Sequence, residues 1–335
     1  MRYVRLARGV SVSALCLGTR DFGSRLDAGQ SCELLDAAVA AGISFLDVAD
    51  VYPVPLRHET FGVSESIIGS WLRSRRANVT VGTKFRLGFE SRPSSDAVIR
   101  AGISACDASL RRLGRESIEF FFLHHPDPVV RAEDLLEIFQ RLIQAGKIHC
   151  GGVSNYGVTD LESIMALSGH PPGSQLGAVQ LRYGLLHRAP ELAEIALCQQ
   201  RGLSCFAYNV LASGLLSSQY LNKQVPPPRS RFASEEAGDR YRQYYWNQPS
   251  LDRLHALAAI AAEFGLSVSE LAIAWAGSRP GITSLVIGAT TSGQLDEAAE
   301  AIDKTLPQEA QRLIEDCTAP PGAGPIKQES GKEEK

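Results

Sequence analysis

The stretch IEFFFLHHPDPVVRAEDLLEIFQRLIQAGKIHCGGVSNY, residues 118–156, decides the fold. It begins with an apolar run rich in Phe, which predicts a buried strand at 118–123. Apolar residues then recur at helical spacing over 132–145, and Gly146 ends that helix. A second β-rich run follows at 149–153. A strand, a helix and a strand in this order predict one parallel βαβ unit.

The same alternation continues along the chain in both directions. The predicted strands are 14–18, 44–47, 79–83, 118–123, 149–153, 178–181, 203–208 and 284–288. The predicted helices are 31–41, 65–74, 94–113, 132–145, 159–167, 191–200 and 267–278. Eight strands that alternate with helices indicate parallel βα units, and 335 residues is an ordinary length for an α/β barrel of one domain. We therefore expect a (β/α)8 TIM barrel over residues 1–317.

Three segments lie outside this alternation. The runs 3–6 and 10–12 are joined at Arg8-Gly9, which predicts an N-terminal hairpin that caps the barrel floor. Residues 219–249 contain three consecutive prolines and a cluster of aromatic residues, and we interpret them as a long functional or mobile loop. The tail at 318–335 is rich in Pro, Gly and charge and is predicted to be disordered.

The composition argues against several classes of protein. The net charge is -3 and no long run of Lys and Arg is present, so neither nucleic acid nor an anionic membrane is expected as a partner. The seven cysteines form no CxxC pair, which favours reduced thiols in a cytosolic protein. The first residues lack the pattern of a signal peptide, and no apolar run is long enough to span a membrane. We expect a cytoplasmic monomer or small homo-oligomer.

Polar residues cluster where the predicted strands end. Asp47 and Tyr52 follow the second strand, Lys84 ends the third, and His124 follows the fourth. In barrels of this type the carboxyl ends of the strands carry the active site. The pKa of an unperturbed Tyr is about 10, and a neighbouring Lys⁺ lowers it, while an Asp keeps the Lys charged. With a His to orient a carbonyl oxygen, such a group suits protonation of an oxygen that becomes an alkoxide as hydride reaches carbon.

Four sequence motifs, taken together and in their order along the chain, resemble those of the aldo-keto reductases, and the resemblance covers about residues 10–317. They are Asp47-Val48-Ala49-Asp50-Val51-Tyr52, Thr83-Lys84, Leu123-His124-His125-Pro126 and Gly152-Val153-Ser154-Asn155. The long insert after Tyr52 resembles one bacterial branch of that family. The resemblance implies an NADPH-dependent reductase of an aldehyde or ketone, with sugars and secondary metabolites as candidate substrates. It implies that Tyr52 is the general acid, that Lys84 and Asp47 adjust its pKa, and that His124 positions the carbonyl group of the substrate.

The resemblance also implies which residues bind the cofactor. Ser154, Asn155 and Gln180 would contact the nicotinamide carboxamide, and Tyr208 would stack on the ring. The further contacts that it implies are Gly18, Thr19, Arg20, Asp47, Asn209, Val210, Leu211, Ala212, Ser213, Gly214, Ile287, Gly288, Ala289, Thr290, Thr291, Gln294 and Glu297.

The chain departs from the family pattern at three positions. Pro53 stands where Gly or Asn is common, and Gln294 and Ala298 stand where many NADP-preferring members have Arg and Asn. Because Arg binds phosphate well, Arg229 or Arg231 of the long loop is expected to close over the 2′-phosphate when the cofactor binds. NAD remains the alternative cofactor.

Several residues also have a purely structural interpretation. Asp50 is interpreted as an exposed loop acid, and His125 is equally compatible with packing and with lining the substrate cleft. Adjacent strand residues point to opposite faces, so we do not expect a metal site on His124 and His125. The aromatics at 241–246 are interpreted as packing under the loop.

Two other functions stay open on the same scaffold. One is a cofactor-binding regulatory subunit of the potassium-channel β-subunit kind, and the other is an NAD-dependent sugar dehydrogenase. A Rossmann dehydrogenase is disfavoured, because no GxGxxG motif follows the first strand.

Overall fold

The computed structural model describes residues 1–6, 9–88, 93–168, 175–228, 230–234 and 238–319. Eight parallel strands close into a barrel in the order β10-β3-β4-β5-β6-β7-β8-β9. Their bounds are β3 Leu15–Gly18, β4 Phe45–Asp47, β5 Thr80–Phe85, β6 Ile118–Leu123, β7 Ile148–Ser154, β8 Leu176–Arg182, β9 Ser204–Tyr208 and β10 Ser284–Ile287. The predicted (β/α)8 barrel is confirmed, and every predicted strand overlaps an observed one.

Helices surround the barrel. Their bounds are α1 Ala28–Ala40, α2 Val63–Arg75, α3 Ser95–Leu113, α4 Ala132–Gln144, α5 Val158–Ser168, α6 Glu194–Arg201, α7 Gly238–Tyr245, α8 Gln248–Glu263, α9 Val268–Gly277, α10 Ser292–Ala301 and α11 Gln308–Thr318. The predicted helices correspond to α1–α6 and α9, although the first residues of the predicted 191–200 helix form a separate 3-10 turn, Ala189–Leu192. The helices α7, α8, α10 and α11 were not predicted.

Local sequence signals explain where several helices begin. The Asp27 side chain accepts the backbone N–H of Gln30 in a capping box that starts α1. Ser267 and Glu270 form the same arrangement at α9. Thr291 accepts the backbone N–H of Gln294 and so caps α10, which is the next element after β10.

The N-terminal hairpin is also confirmed, with β1 at Tyr3–Arg5 and β2 at Ser11–Ser13. Val10 and Val12 belong to the same apolar cluster as Phe45, Phe120 and Phe206 inside the barrel. The Phe45 and Phe206 rings meet edge to face, with centroids 5.1 Å apart. The hairpin therefore seals the amino-terminal end, and the carboxyl ends of the strands are left as the open mouth.

The segment 219–249 has more structure than the predicted loop. It contains a 3-10 turn at Arg231–Ala233, the helix α7, and the first residues of α8. Thr318 is buried as the last residue of α11, so the chain is helical to the first position of the predicted tail. Residues 320–335 and Arg229 lie outside the described residues.

Within the described ranges, no single helix is long and apolar enough to cross a membrane. The helices α8 and α9 reach that length and composition when taken together, but they are bent by 89° relative to each other.

Candidate active site

A cavity of about 620 Å³ opens at the carboxyl ends of the barrel strands. Most of the predicted site residues line it. They are Gly18, Arg20, Asp47, Tyr52, His124, Ser154, Asn155, Gln180, Tyr208, Asn209, Val210, Leu211, Ser213, Gly214, Arg231, Ile287, Gly288, Thr290 and Gln294. Its size is in the range of pockets that hold small organic ligands.

Lys84 and Asp47 form a buried ion pair at this mouth. Lys84 Nζ donates to both carboxylate oxygens of Asp47 at 2.7 Å and to the Val48 carbonyl oxygen at 3.0 Å. Only 1% of Lys84 is exposed. Burial alone would lower the pKa of Lys84, but the Asp47 carboxylate raises it, and the resulting pKa lies above its usual value. Lys84 is therefore charged at neutral pH.

Tyr52 lies against this pair, with its ring centroid 5.1 Å from Lys84 Nζ. Burial raises the pKa of the Tyr52 phenol, and the Lys84 ammonium opposes that rise without reversing it. The expected lowering of this pKa was wrong in its net direction, because desolvation is the larger effect. The phenol is protonated at neutral pH and can donate a proton.

His124 lies edge-on to Tyr52, with ring centroids 5.8 Å apart. Burial, together with the charge of Lys84, lowers the pKa of His124 well below its usual value, so the imidazole is neutral. Its Nδ1 is buried and has no hydrogen-bond partner among the described residues. A neutral imidazole offers one N–H donor and one acceptor.

His125 also lines the cavity, and its ring packs on that of His124, so the structure shows features of both interpretations. The His124 and His125 rings stack with centroids 4.8 Å apart and planes at 4°. We expected them to point to opposite faces, but β6 ends at Leu123, so the strand alternation no longer applies. In the part of the chain that the structure describes, no three His, Cys, Asp or Glu side chains converge as metal ligands.

Asp50 is buried, which corrects its interpretation as an exposed loop acid. Only 2% of it is exposed. Its Oδ2 accepts the backbone N–H of Arg86 at 3.2 Å, while Oδ1 has no partner among the described residues. Burial, reinforced by repulsion from Glu65, raises the pKa of Asp50 to about 7. Through this hydrogen bond, the Asp50 carboxyl connects the turn before Tyr52 to Arg86, the residue that follows β5.

Amide and hydroxyl groups converge beside the ion pair. Gln180 Nε2 donates to Asp47 Oδ1 at 2.8 Å. Asn155, at a left-handed φ of 65°, donates to Ser154 Oγ at 3.1 Å. The Tyr208 hydroxyl donates to Asn155 Oδ1 at 2.6 Å. The structure therefore brings together the side chains that the sequence assigned to the carboxamide and the ring of nicotinamide.

The far end of the cavity combines a glycine turn with an arginine. A Cβ atom on Gly288 would lie 3.3 Å from Arg231 Nη2, so the guanidinium lies directly over this turn. Arg231 Nη2 also donates to Asp21 Oδ2 at 2.8 Å. The backbone N–H of Thr290 donates to Gln294 Oε1 at 2.8 Å. Arg231 therefore lies in the cavity wall beside the Gly288 turn, with its guanidinium paired to Asp21.

Among the predicted cofactor residues that the structure describes, five do not line the cavity. They are Thr19, Ala212, Ala289, Thr291 and Glu297. Glu297 was expected to contact the cofactor, but its Oε1 accepts the Ser267 hydroxyl at 2.6 Å and the Ser269 hydroxyl at 2.5 Å at the start of α9. Thr19 donates to the Asp47 carbonyl oxygen at 2.9 Å, behind the cavity wall.

The aromatics at 241–246 do more than pack under a loop. Tyr241, Tyr244 and Tyr245 line the cavity, whereas Trp246 packs on Phe232 with ring centroids 5.3 Å apart. The three tyrosines belong to α7, so the placement of that helix brings them to the cavity.

Besides Arg25, which pairs with Asp21, two arginines that the sequence did not single out, Arg86 and Arg182, also line the cavity. The guanidinium carbon of Arg182 lies 4.3 Å from the Tyr244 ring centroid. No local sequence signal distinguishes either arginine from one on the surface.

Comparison with known proteins agrees with this geometry. Residues 14–319 match the model of the aldo/keto reductase family. The chain is similar to the uncharacterized oxidoreductase YrpG of Bacillus subtilis (29% identity over 96% of this chain and 97% of that protein) and to protein tas of Escherichia coli (29%, 94% and 97%). It is also similar to a probable voltage-gated potassium channel subunit beta of Oryza sativa (30%, 90% and 92%). The chain belongs to the aldo/keto reductase family and is an NAD(P)H-dependent oxidoreductase.

Proposed function

We propose that this protein uses NADPH to reduce an aldehyde or ketone, and that Tyr52, Lys84, Asp47 and His124 carry out the proton chemistry. The observation that carries the proposal is the buried Lys84–Asp47 pair beneath the ring of a protonated Tyr52, beside a neutral His124. Such a group delivers one proton to an oxygen and leaves its conjugate base next to a fixed positive charge.

In the proposed reaction Tyr52 gives its phenolic proton to the carbonyl oxygen as that oxygen becomes an alkoxide. Lys84 stabilises the phenolate that remains, and Asp47 keeps Lys84 charged and in place. His124 donates a hydrogen bond that orients the carbonyl oxygen. When it is bound, the reduced nicotinamide supplies the hydride. Tyr52 then recovers a proton from water, and the product is an alcohol.

The residues present fit the cofactor. Ser154, Asn155 and Gln180 offer amide and hydroxyl groups to the carboxamide, and Tyr208 offers an aromatic face. The Arg231 guanidinium lies 3.3 Å from where a Cβ atom of Gly288 would be, so a phosphate bound at this turn would meet that guanidinium. We assign the preference for NADPH over NADH to Arg231, whose guanidinium can form charge-assisted hydrogen bonds to a 2′-phosphate.

A second candidate is a cofactor-binding subunit of a potassium channel. The observation that favours it is the 30% identity to the rice protein named as a channel β subunit. An NAD-dependent sugar dehydrogenase would share the proton chemistry and differ only in cofactor and direction. We propose a cytoplasmic location in each case.

The test is a panel of aldehydes, ketones and sugars with NADPH and with NADH, followed by the absorbance of the reduced nicotinamide. Turnover that is faster with NADPH supports the reductase. Tight NADPH binding without turnover of any carbonyl compound favours the regulatory subunit, and faster oxidation of sugars with NAD⁺ favours the dehydrogenase.

A further inference from the structure

The cavity carries more positive than negative side chains. Its lining includes two aspartates, Asp21 and Asp47, and five arginines, which are Arg20, Arg25, Arg86, Arg182 and Arg231. Asp47 is neutralised by Lys84, and Asp21 by Arg231 at 2.8 Å and Arg25 at 3.6 Å. Among the described residues no carboxylate lies within ion-pair distance of Arg20, Arg86 or Arg182. The site therefore has an excess of positive charge that attracts an anionic ligand.

Arg86 lies away from the phosphate end of the cavity. It follows β5, whereas Gly288 and the Arg231 guanidinium lie at the end of β10. The strands β3 and β4 separate β5 from β10 around the barrel. The charge on Arg86 is therefore remote from the clamp that we assign to the cofactor phosphate.

The strand register instead places Arg86 next to His124. Phe85 of β5 pairs with Leu123 of β6, so Arg86 and His124 leave neighbouring strands side by side. The backbone N–H of His124 donates to the Phe85 carbonyl oxygen at 3.0 Å, which fixes this juxtaposition. The Arg86 charge contributes to the lowered pKa of His124. Both side chains line the cavity that also holds Tyr52.

The backbone of Arg86 is held, but its side chain is accessible. The Asp50 carboxyl accepts the Arg86 N–H at 3.2 Å, whereas the side chain is exposed on the cavity wall. A guanidinium presents a planar fork of N–H donors that matches carboxylate and phosphate oxygens.

We propose that Arg86 binds an anionic oxygen group of the substrate, a carboxylate or a phosphate, so that the enzyme prefers anionic aldehydes or ketones. This inference rests on the proposed reductase activity. The anion bound by Arg86 places the carbonyl group of the same molecule within reach of Tyr52 and His124.

The test compares pairs of substrates that differ in charge. One pair is para-carboxybenzaldehyde and its methyl ester, and the other is glyceraldehyde phosphate and glyceraldehyde. We expect kcat/KM to favour the anionic member by roughly 10-fold or more, because a hydrogen bond between charged groups contributes more than one between neutral groups. A preference in only one pair identifies the anion as carboxylate or phosphate.

Two variants and a matched control assign the preference to Arg86. Arg86→Met should lower the anionic-to-neutral ratio of kcat/KM to about one, mainly through KM, and Arg86→Lys should restore part of it. The control is Arg141→Met, which removes an exposed arginine paired with Glu137 on α4 and should leave the ratio unchanged. Equal kcat/KM for the two members of each pair in the parent, or an unchanged ratio in Arg86→Met, would overturn the proposal.

A binding measurement separates this proposal from the proposed function. If no aldehyde is turned over, the reductase assignment fails, and calorimetric titration with para-carboxybenzyl alcohol still tests Arg86. Binding that is roughly 10-fold or more weaker in Arg86→Met than in the parent supports the anion site. Equal binding in both proteins refutes it, and so does a parent protein that binds neither para-carboxybenzyl alcohol nor glycerol phosphate.

Discussion

Replacing Asp50 by Asn should stabilise the protein at alkaline pH and not at acid pH. The Asp50 carboxyl is almost fully buried, and one of its oxygens lacks a partner among the described residues. Its pKa is raised from 3.8 to about 7 in the folded protein, chiefly by burial. The folded state therefore binds more protons than the unfolded state between those two values, and stability falls as pH rises through that window.

The magnitude follows from the same two pKa values. At about 1.36 kcal/mol per pH unit, the difference between 3.8 and about 7 corresponds to at most about 4 kcal/mol. Asn is uncharged at every pH and keeps an oxygen that can accept the Arg86 N–H. We therefore expect the free energy of unfolding of Asp50→Asn, relative to the parent, to increase by about 2–4 kcal/mol between about pH 4 and pH 8.

Chemical denaturation at several pH values measures this difference. The control is Asp296→Asn, which removes an exposed carboxylate on α10 and should give nearly the same change in unfolding free energy at every pH. The reasoning about Asp50 is refuted if the unfolding free energies of the parent and Asp50→Asn differ by the same amount at every pH. It is also refuted if the parent gains stability relative to the variant as pH rises.

Three further changes test the site itself. Tyr52→Phe should lower kcat by about 10²–10⁴-fold and leave the dissociation constant of NADPH unchanged; activity within twofold of the parent would exclude Tyr52 as the general acid. Tyr208→Ala should weaken NADPH binding, measured by the fluorescence of the reduced cofactor, and unchanged affinity would make Tyr208 a packing residue only. Arg231→Ala should weaken NADPH binding by roughly 10–150-fold and NADH binding far less; equal losses for the two cofactors would contradict a 2′-phosphate clamp.

Segments with a regular apolar pattern were predictable from sequence. The run at 118–123 is observed as β6 with the same bounds, because five of its six side chains are buried and its composition is strongly apolar. The helix α8 was missed for a physical reason. Asn247 caps it and Pro249 lies in its first turn, where a proline is tolerated, yet both residue types are also typical of loops.

The candidate site was only partly predictable. Asp47 and Tyr52 lie at the end of β4, Lys84 at the end of β5 and His124 after β6, and the parallel strands bring these three places to one mouth. The burial of Asp50 depends on the insert folding back over it, as when the Gly62 N–H donates to the Asp50 carbonyl oxygen at 2.7 Å. No local pattern encodes that contact.

The protonation states of the four central groups depend on one another. Asp47 makes it possible for Lys84 to stay charged where burial would otherwise discharge it. The Lys84 charge, added to burial, keeps His124 neutral, and burial keeps Tyr52 protonated. The set therefore holds one carboxylate, one ammonium, one imidazole and one phenol, with no net charge. In the reaction that we propose, transfer of the Tyr52 proton would create a single negative charge beside Lys84, whose ammonium can stabilise it without rearranging solvent.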